Sequence, residues 1–322
     1  MNIWRSLSLP SCPDALSCWS SHQETFLVYG AYELCEGKRT GGLGVVSLAP
    51  TGPLQATWHS LGTGVLDLDC LSETCLILAT ADGGVHAYDP EKGALRWTLP
   101  RSLASGTLAL SVDHAARATQ TFIAASYSDG SLAVADIASQ EWVWECSHAH
   151  THEAWCPCFG AEEHVLISGG DDGYMRLWDW RLRPESSSCV FACHAHQGIG
   201  VTAACVLDAH SFLSGGFDEH LRAWDMRMLS KPLAHLQMPG GVWRIQQNEG
   251  AFLVACMHGH AAIIGYDGKE LTSIALLGGT MNGSLVYGAS WIRDLSDSVV
   301  CATASFYDKE LYLWRMAAND LH

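Results

Sequence analysis

The stretch LISGGDDGYMRLWD, from Leu166 to Asp179, is an apolar strand, a turn of glycines and aspartates, and a second strand that closes on Trp-Asp. Apolar residues in strand rhythm on both sides of such a turn are the pattern of a β-hairpin. The chain writes this hairpin again 46 residues later as FLSGGFDEHLRAWD, from Phe212 to Asp225, with Trp224-Asp225 where Trp178-Asp179 stood. A unit of that length cannot bury its own apolar faces, so it must stack against copies of itself.

The copies can be found. Segments with the same grammar close on Val46-Ser47, Tyr88-Asp89, Ala135-Asp136, Trp178-Asp179, Trp224-Asp225, Tyr266-Asp267 and Trp314-Arg315, at steps of 42 to 48 residues. That spacing, with no helix-period stretch in competition, predicts an all-β fold, a seven-bladed WD-repeat β-propeller. The chain is expected to be one propeller over residues 1–322, with blades ending near residues 47, 89, 136, 179, 225, 267 and 315. The last copy stops on its third strand. Asn2 to Leu9, NIWRSLSL, alternates as a strand, and residues 1–9 are expected to fill the outer place and close the ring. Glu33 to Gly42 and Leu276 to Ser284 read as surface connections.

Composition removes several classes of function. Hydrophobic residues are 48% and charged residues 16%, which excludes disorder. The net charge of −16 argues against a nucleic-acid partner, whose phosphates demand a basic face, and would draw in a cationic ligand or a basic patch on a protein. No apolar run reaches membrane-spanning length, and MNIWRSLSLPSCPDAL lacks the apolar core of a signal peptide. A cytoplasmic monomer with no membrane contact is expected. The 13 cysteines then read as reduced thiols. Cys156-Pro-Cys158 and the run Cys189, Cys193, His194, His196 have no familiar zinc spacing, so neither a metal nor a cofactor is expected.

Within the repeat grammar, His150, Ser168, Asp172 and Trp178 of one copy and His196, Ser214, Asp218 and Trp224 of the next form a hydrogen-bonded scaffold set, not chemistry. Polar and aromatic residues outside that set gather on the face where inner turns meet blade-to-blade links. His258 stands in Cys-Met-His, where neighbouring copies carry Gly-Gly and an acid. It is a candidate general base with Asp171 or Glu153 as its orienting acid, or else it holds the turn in place of the missing Asp. Cys256 beside it is a candidate nucleophile or an inert interior thiol. Arg244, or the amides of Gly240-Gly241, is the candidate for stabilising an oxyanion. Trp155, Phe217, Trp243 and Tyr307 come from four blades at comparable depth; they either cage a quaternary ammonium group or pack between blades. No G-x-S-x-G elbow or H-E-x-x-H helix is present.

In GGVWRI (Gly240 to Ile245), ACMH (Ala255 to His258), SLVYGASW (Ser284 to Trp291) and ATASFYDKELYLW (Ala302 to Trp314), the chain resembles one WD-repeat family, the diphthine methyl esterases of diphthamide biosynthesis, also called diphthine methyltransferases. Glu153-Ala154-Trp155, the SGGDDG turn and Asp218-Glu219-His220 add to the match. The likeness covers roughly residues 140 to 315, and the first three blades share only the repeat pattern. The resemblance implies a hydrolase that removes the methyl ester of methylated diphthine on elongation factor 2, whose modified histidine carries a trimethylammonium group. Members of the family often carry a longer insertion before the last blade, where this chain has only Ser290 to Ser298. The competing reading is a non-catalytic scaffold that uses the same aromatic face to bind a peptide or protein.

Overall fold

The computed structural model describes residues 2–317 apart from 22–23, 50–51, 100, 102, 118–119, 163, 185–187, 195, 197–198, 279–284 and 293–297. The described residues contain no helix and form seven four-stranded antiparallel sheets, the blades of a β-propeller. None of them builds a helix that could cross a membrane. Numbered in chain order, the blades begin with the innermost strands Cys12–Ser21, Val65–Ser72, Ala109–Ala116, Ala154–Phe159, Val201–Val206, Arg244–Asn248 and Val286–Ile292. Blade 7 is completed by the N-terminal strand: Asn2–Ser8 pairs antiparallel with Glu310–Ala317, Leu7 opposite Leu311, so the ring is tied where it would otherwise leave an open edge.

The Ser-Gly-Gly of the two clearest repeats is explained atom by atom. Ser168 accepts the indole N–H of Trp178 at 2.8 Å and meets His150 Nε2 at 2.8 Å. Gly169 leaves room for the next blade, since a Cβ there would come within 2.6 Å of Val201. Gly170 leaves room for the His150 ring, 2.3 Å from where its Cβ would be. Ser214, Gly215 and Gly216 do the same for Trp224, Val242 and His196. The core is therefore a series of seams between neighbouring blades. Leu27, Tyr29, Ile292 and Leu313 close the seam between blades 1 and 7.

Glu33 to Gly42 lies largely at the surface, but as the end of a paired hairpin and not as an irregular loop. The strands Glu24–Cys35 and Lys38–Ser47 run as one continuous hairpin to the pair Cys35–Lys38. Its turn is Glu36-Gly37, both at positive φ (51° and 77°), the geometry a two-residue hairpin turn needs. Most of the segment Leu276 to Ser284, and the site of the shortened insertion between Ser290 and Ser298, lie outside the described residues.

Candidate active site

The innermost strands surround a central cavity of about 680 Å³. A local irregularity repeated around the ring decides which side chains reach it. In six blades the pairing of the first two strands skips one residue near the start of the inner strand: Asp14, Leu66, Leu110, Trp155, Thr202 and Tyr287. Such a bulge re-aims the extra side chain out of the sheet. In blade 6 Trp243 takes the equivalent place, donating its backbone N–H to Ala255 O at 2.8 Å just before the ladder begins at Arg244. All seven of these residues line the cavity. The ring thus has an aromatic arc over blades 4, 6 and 7 and a carboxylic acid in blade 1.

The arc is contiguous. Trp155 and Trp243 lie 5.2 Å apart between ring centroids, and Trp243 and Tyr287 4.7 Å. Tyr32, on the long hairpin of blade 1, adds a further ring to the lining and packs 5.2 Å from Phe306. Of the four aromatics expected to form a cage, Trp155 and Trp243 face the cavity. Phe217 packs at 6.2 Å on Trp243 and is not among the lining residues. Tyr307 stands outside the lining, 69% exposed, stacked edge-on against Phe306. Tyr32 and Tyr287 occupy the places expected for these two.

The charged residues are placed differently from the expected triad. Glu153 lines the cavity, but Asp171 is exposed and accepts the Trp155 indole N–H at 3.2 Å, which orients the ring. His258 lies exposed on the turn after Ala251–Ala255, outside the lining. Among the described residues no hydrogen bond or ion pair joins it to Asp171 or Glu153. Backbone bonds hold that turn instead, with Cys256 N donating to His260 O at 2.7 Å. Cys256 is fully buried, and burial pushes its thiol up to about 12, so it is not an activated nucleophile. Arg244 lines the cavity and reaches from blade 6 to blade 2, where it pairs with Asp67 Oδ1 at 2.5 Å and donates to Leu66 O at 2.9 Å. Its charge is thereby balanced, and it acts first as a tie across the channel.

Asp14 is the residue that sequence reasoning missed. It is 5% exposed, and its Oδ1 has no hydrogen-bond partner among the described residues. Burial raises its carboxyl to about 7, against the opposing pull of Arg244; the nearby Asp67 raises it further, while Arg39 and the Trp243 indole lower it. The Trp243 indole N–H, near enough to Asp14 to favour its charged form, likewise makes no hydrogen bond within bonding geometry. A buried acceptor and a buried donor, both unspent, therefore border one cavity. Blade 1 hides this equivalence in sequence, because its long hairpin sets Asp14 further from its closing pair than in the other blades.

Deeper in the channel, Asp69, Asp113 and His114 offer ligand atoms within 4.8 Å of one another, a group that could hold a metal ion. The protein's own bonds engage all three. Asp69 accepts from His114 Nδ1 at 2.5 Å and from Cys70 N at 2.8 Å; Asp113 accepts from Phe159 N at 2.7 Å and His114 N at 2.9 Å. Burial, with Asp69 adding to it, raises Asp113 to about 7, so its shift matches that of Asp14 while its bonding does not. Of the cysteine runs, Cys156 and Cys158 sit on the inner strand of blade 4, and Cys189 and Cys193 on its outer strand.

Fold and site together define a WD-repeat type of β-propeller with an aromatic and acidic central cavity. In a crystal structure of the mitotic checkpoint complex, one chain superposes with a TM-score of 0.74 over 98% of this chain and 92% of its own, at 17% identity, a likeness of fold alone. No protein-family model matches the chain. Within propellers it is similar to proteins named diphthine methyltransferase, as the sequence motifs led one to expect. The fission yeast (Schizosaccharomyces pombe) protein is 28% identical over 65% of this chain, and a Dictyostelium discoideum homolog 26% over 74%. The human protein is 34% identical over 44%. The chain spans 64% of the fission yeast protein, 71% of the Dictyostelium one and 33% of the human one.

Proposed function

We propose that the chain is a carboxylic ester hydrolase that removes the methyl ester from methylated diphthine on elongation factor 2, a step of diphthamide biosynthesis, acting as a monomer in the cytoplasm. The observation that carries this reading is the aromatic arc of Trp155, Trp243 and Tyr287 lining a cavity that also holds Asp14 and Glu153. A trimethylammonium group is attracted to aromatic faces and keeps its charge at every pH, so a desolvated aromatic wall with carboxylates nearby suits it. The chain's net charge of −16 favours approach of a cationic side chain. The names of the relatives supply the substrate class.

Those names also favour a second reading, methyl transfer to diphthine from a methyl donor. Intact-mass measurement on elongation factor 2 separates the two. Incubation of the methylated factor with the chain and water alone should replace one methyl by hydrogen, a loss of one CH2 in mass, and release methanol. A gain of mass on unmethylated factor with added donor would favour transfer. No change in either direction would leave a binding scaffold as the better account.

A further inference from the structure

Resting on the hydrolase reading, we propose that Asp14 is the general base of the reaction, the residue that takes a proton from the attacking water. The geometry points to it on four counts. It occupies the bulge position of blade 1, equivalent by register to Trp155 in blade 4 and Tyr287 in blade 7, so it lies in the same ring as the aromatic arc. It borders the cavity. It is nine-tenths buried, and its Oδ1 has no protein donor. Asp67, Asp69 and Asp113, the other carboxylates of the inner strands that border the cavity, are each engaged by named donors.

A buried carboxylate oxygen without a donor is costly unless its use lies with a ligand. The groups that face it set its protonation: Arg244 of blade 6, Asp67 of blade 2, Arg39 and Tyr32 of its own blade's hairpin, Trp243, and Tyr287 of blade 7. Their balance with burial leaves it poised at about 7, where a base is both available and effective.

The step balances with water as the only co-reactant. Asp14 takes one proton of the water as its oxygen bonds to the ester carbonyl carbon, and the carbonyl π pair moves onto oxygen. The unspent Trp243 indole N–H borders the same cavity and is the donor at hand for that oxyanion, beside the Arg244 guanidinium that Asp67 holds in place. Collapse breaks the carbon–methoxy bond, and the proton on Asp14 passes to the departing methoxide as methanol. That transfer restores the Asp14 carboxylate, and the product acid ionises to solvent.

The test uses the full chain and elongation factor 2 carrying methylated diphthine, with methanol release as readout. Wild-type kcat/KM should rise with pH through about 7 and level off above it, as expected of a base active when deprotonated. The isosteric variant Asp14→Asn should lose about a hundredfold or more in kcat at saturating methylated factor, without the rise near neutrality. The variant's melting temperature at pH 8 reports whether it is folded. If wild type is active and folded Asp14→Asn stays within threefold of it, the assignment is overturned while the hydrolase reading stands. If the variant does not fold, a flat wild-type profile between pH 6 and 8 overturns the assignment by itself. An inactive wild type sinks the hydrolase reading instead.

Discussion

The inner turns of blades 4 and 5 and the ring at the head of the channel use the same residue types to opposite ends. In blade 4 a relay runs from Trp178 N–H to Ser168, from the Ser168 hydroxyl to His150 Nε2, and from His150 Nδ1 to Asp172 at 2.9 Å, with Arg176 closing on Asp172 at 2.9 Å. Blade 5 repeats it with Trp224, Ser214, His196, Asp218 and Arg222. Burial lowers the pKa of His150, as suits a neutral ring that donates through Nδ1. Burial pushes Asp172 up, but its bonds to His150, Tyr174 N and Arg176 outweigh that and hold it well below the ordinary carboxylate range. At the channel, Asp14 is equally buried and lacks such bonds. The His–Asp networks tie the scaffold together, whereas at Asp14 an open valence borders the cavity.

The largest expected effect breaks the closed side. Asp172→Ala would leave His150 and Arg176 without their partner in a buried setting and should lower unfolding free energy by about 3–5 kcal/mol in urea titrations. Activity per folded molecule should be unchanged. Asp14→Asn should do the reverse. The folded-state pKa of Asp14, about 7, lies above its unfolded value near 3.8, so the unfolded chain gives up the proton first and stability falls as pH rises between the two. The neutral isostere escapes that fall and should be more stable than wild type at pH 8, by up to about 4 kcal/mol, with little difference at pH 4. Asp113→Asn sharpens the contrast. An amide cannot accept at both of its ends from the backbone N–H groups of Phe159 and His114, so this variant should show no such gain at pH 8.

Smaller effects test the arc. Trp243→Leu should raise KM for methylated elongation factor 2 about tenfold through lost cation–π attraction, Trp155→Leu somewhat less, and Tyr307→Leu hardly at all. His258→Ala should keep kcat within about twofold of wild type, because its side chain lies outside the cavity.

The fold was legible because propeller grammar is local. The hairpins of blades 4 and 5 announce themselves by Gly, Asp and Trp at fixed offsets, the others repeat their strand–turn–strand rhythm, and the alternation in NIWRSLSL marked the closing strand. The cage was half legible. Trp155 and Trp243 could be found by their depth in the repeat, but Phe217 and Tyr307 share that depth without sharing the bulge that turns a side chain inward. His258 drew attention as a departure from the repeat, yet its turn is held by backbone bonds, and the odd residue faces outward. Asp14 was hidden twice, once by the long hairpin that shifts blade 1 out of register with the other copies, and once because a bulge is a property of pairing that no single strand reveals.

The most direct test of the central claim is the fate of the oxygen. Wild-type chain acts on elongation factor 2 bearing methylated diphthine in water enriched with heavy oxygen, and both products are weighed. Attack of base-activated water on the carbonyl carbon predicts loss of the methyl group, one heavy oxygen in the new carboxylate and none in the methanol. Heavy oxygen in the methanol, or no loss of methyl at all, would contradict it.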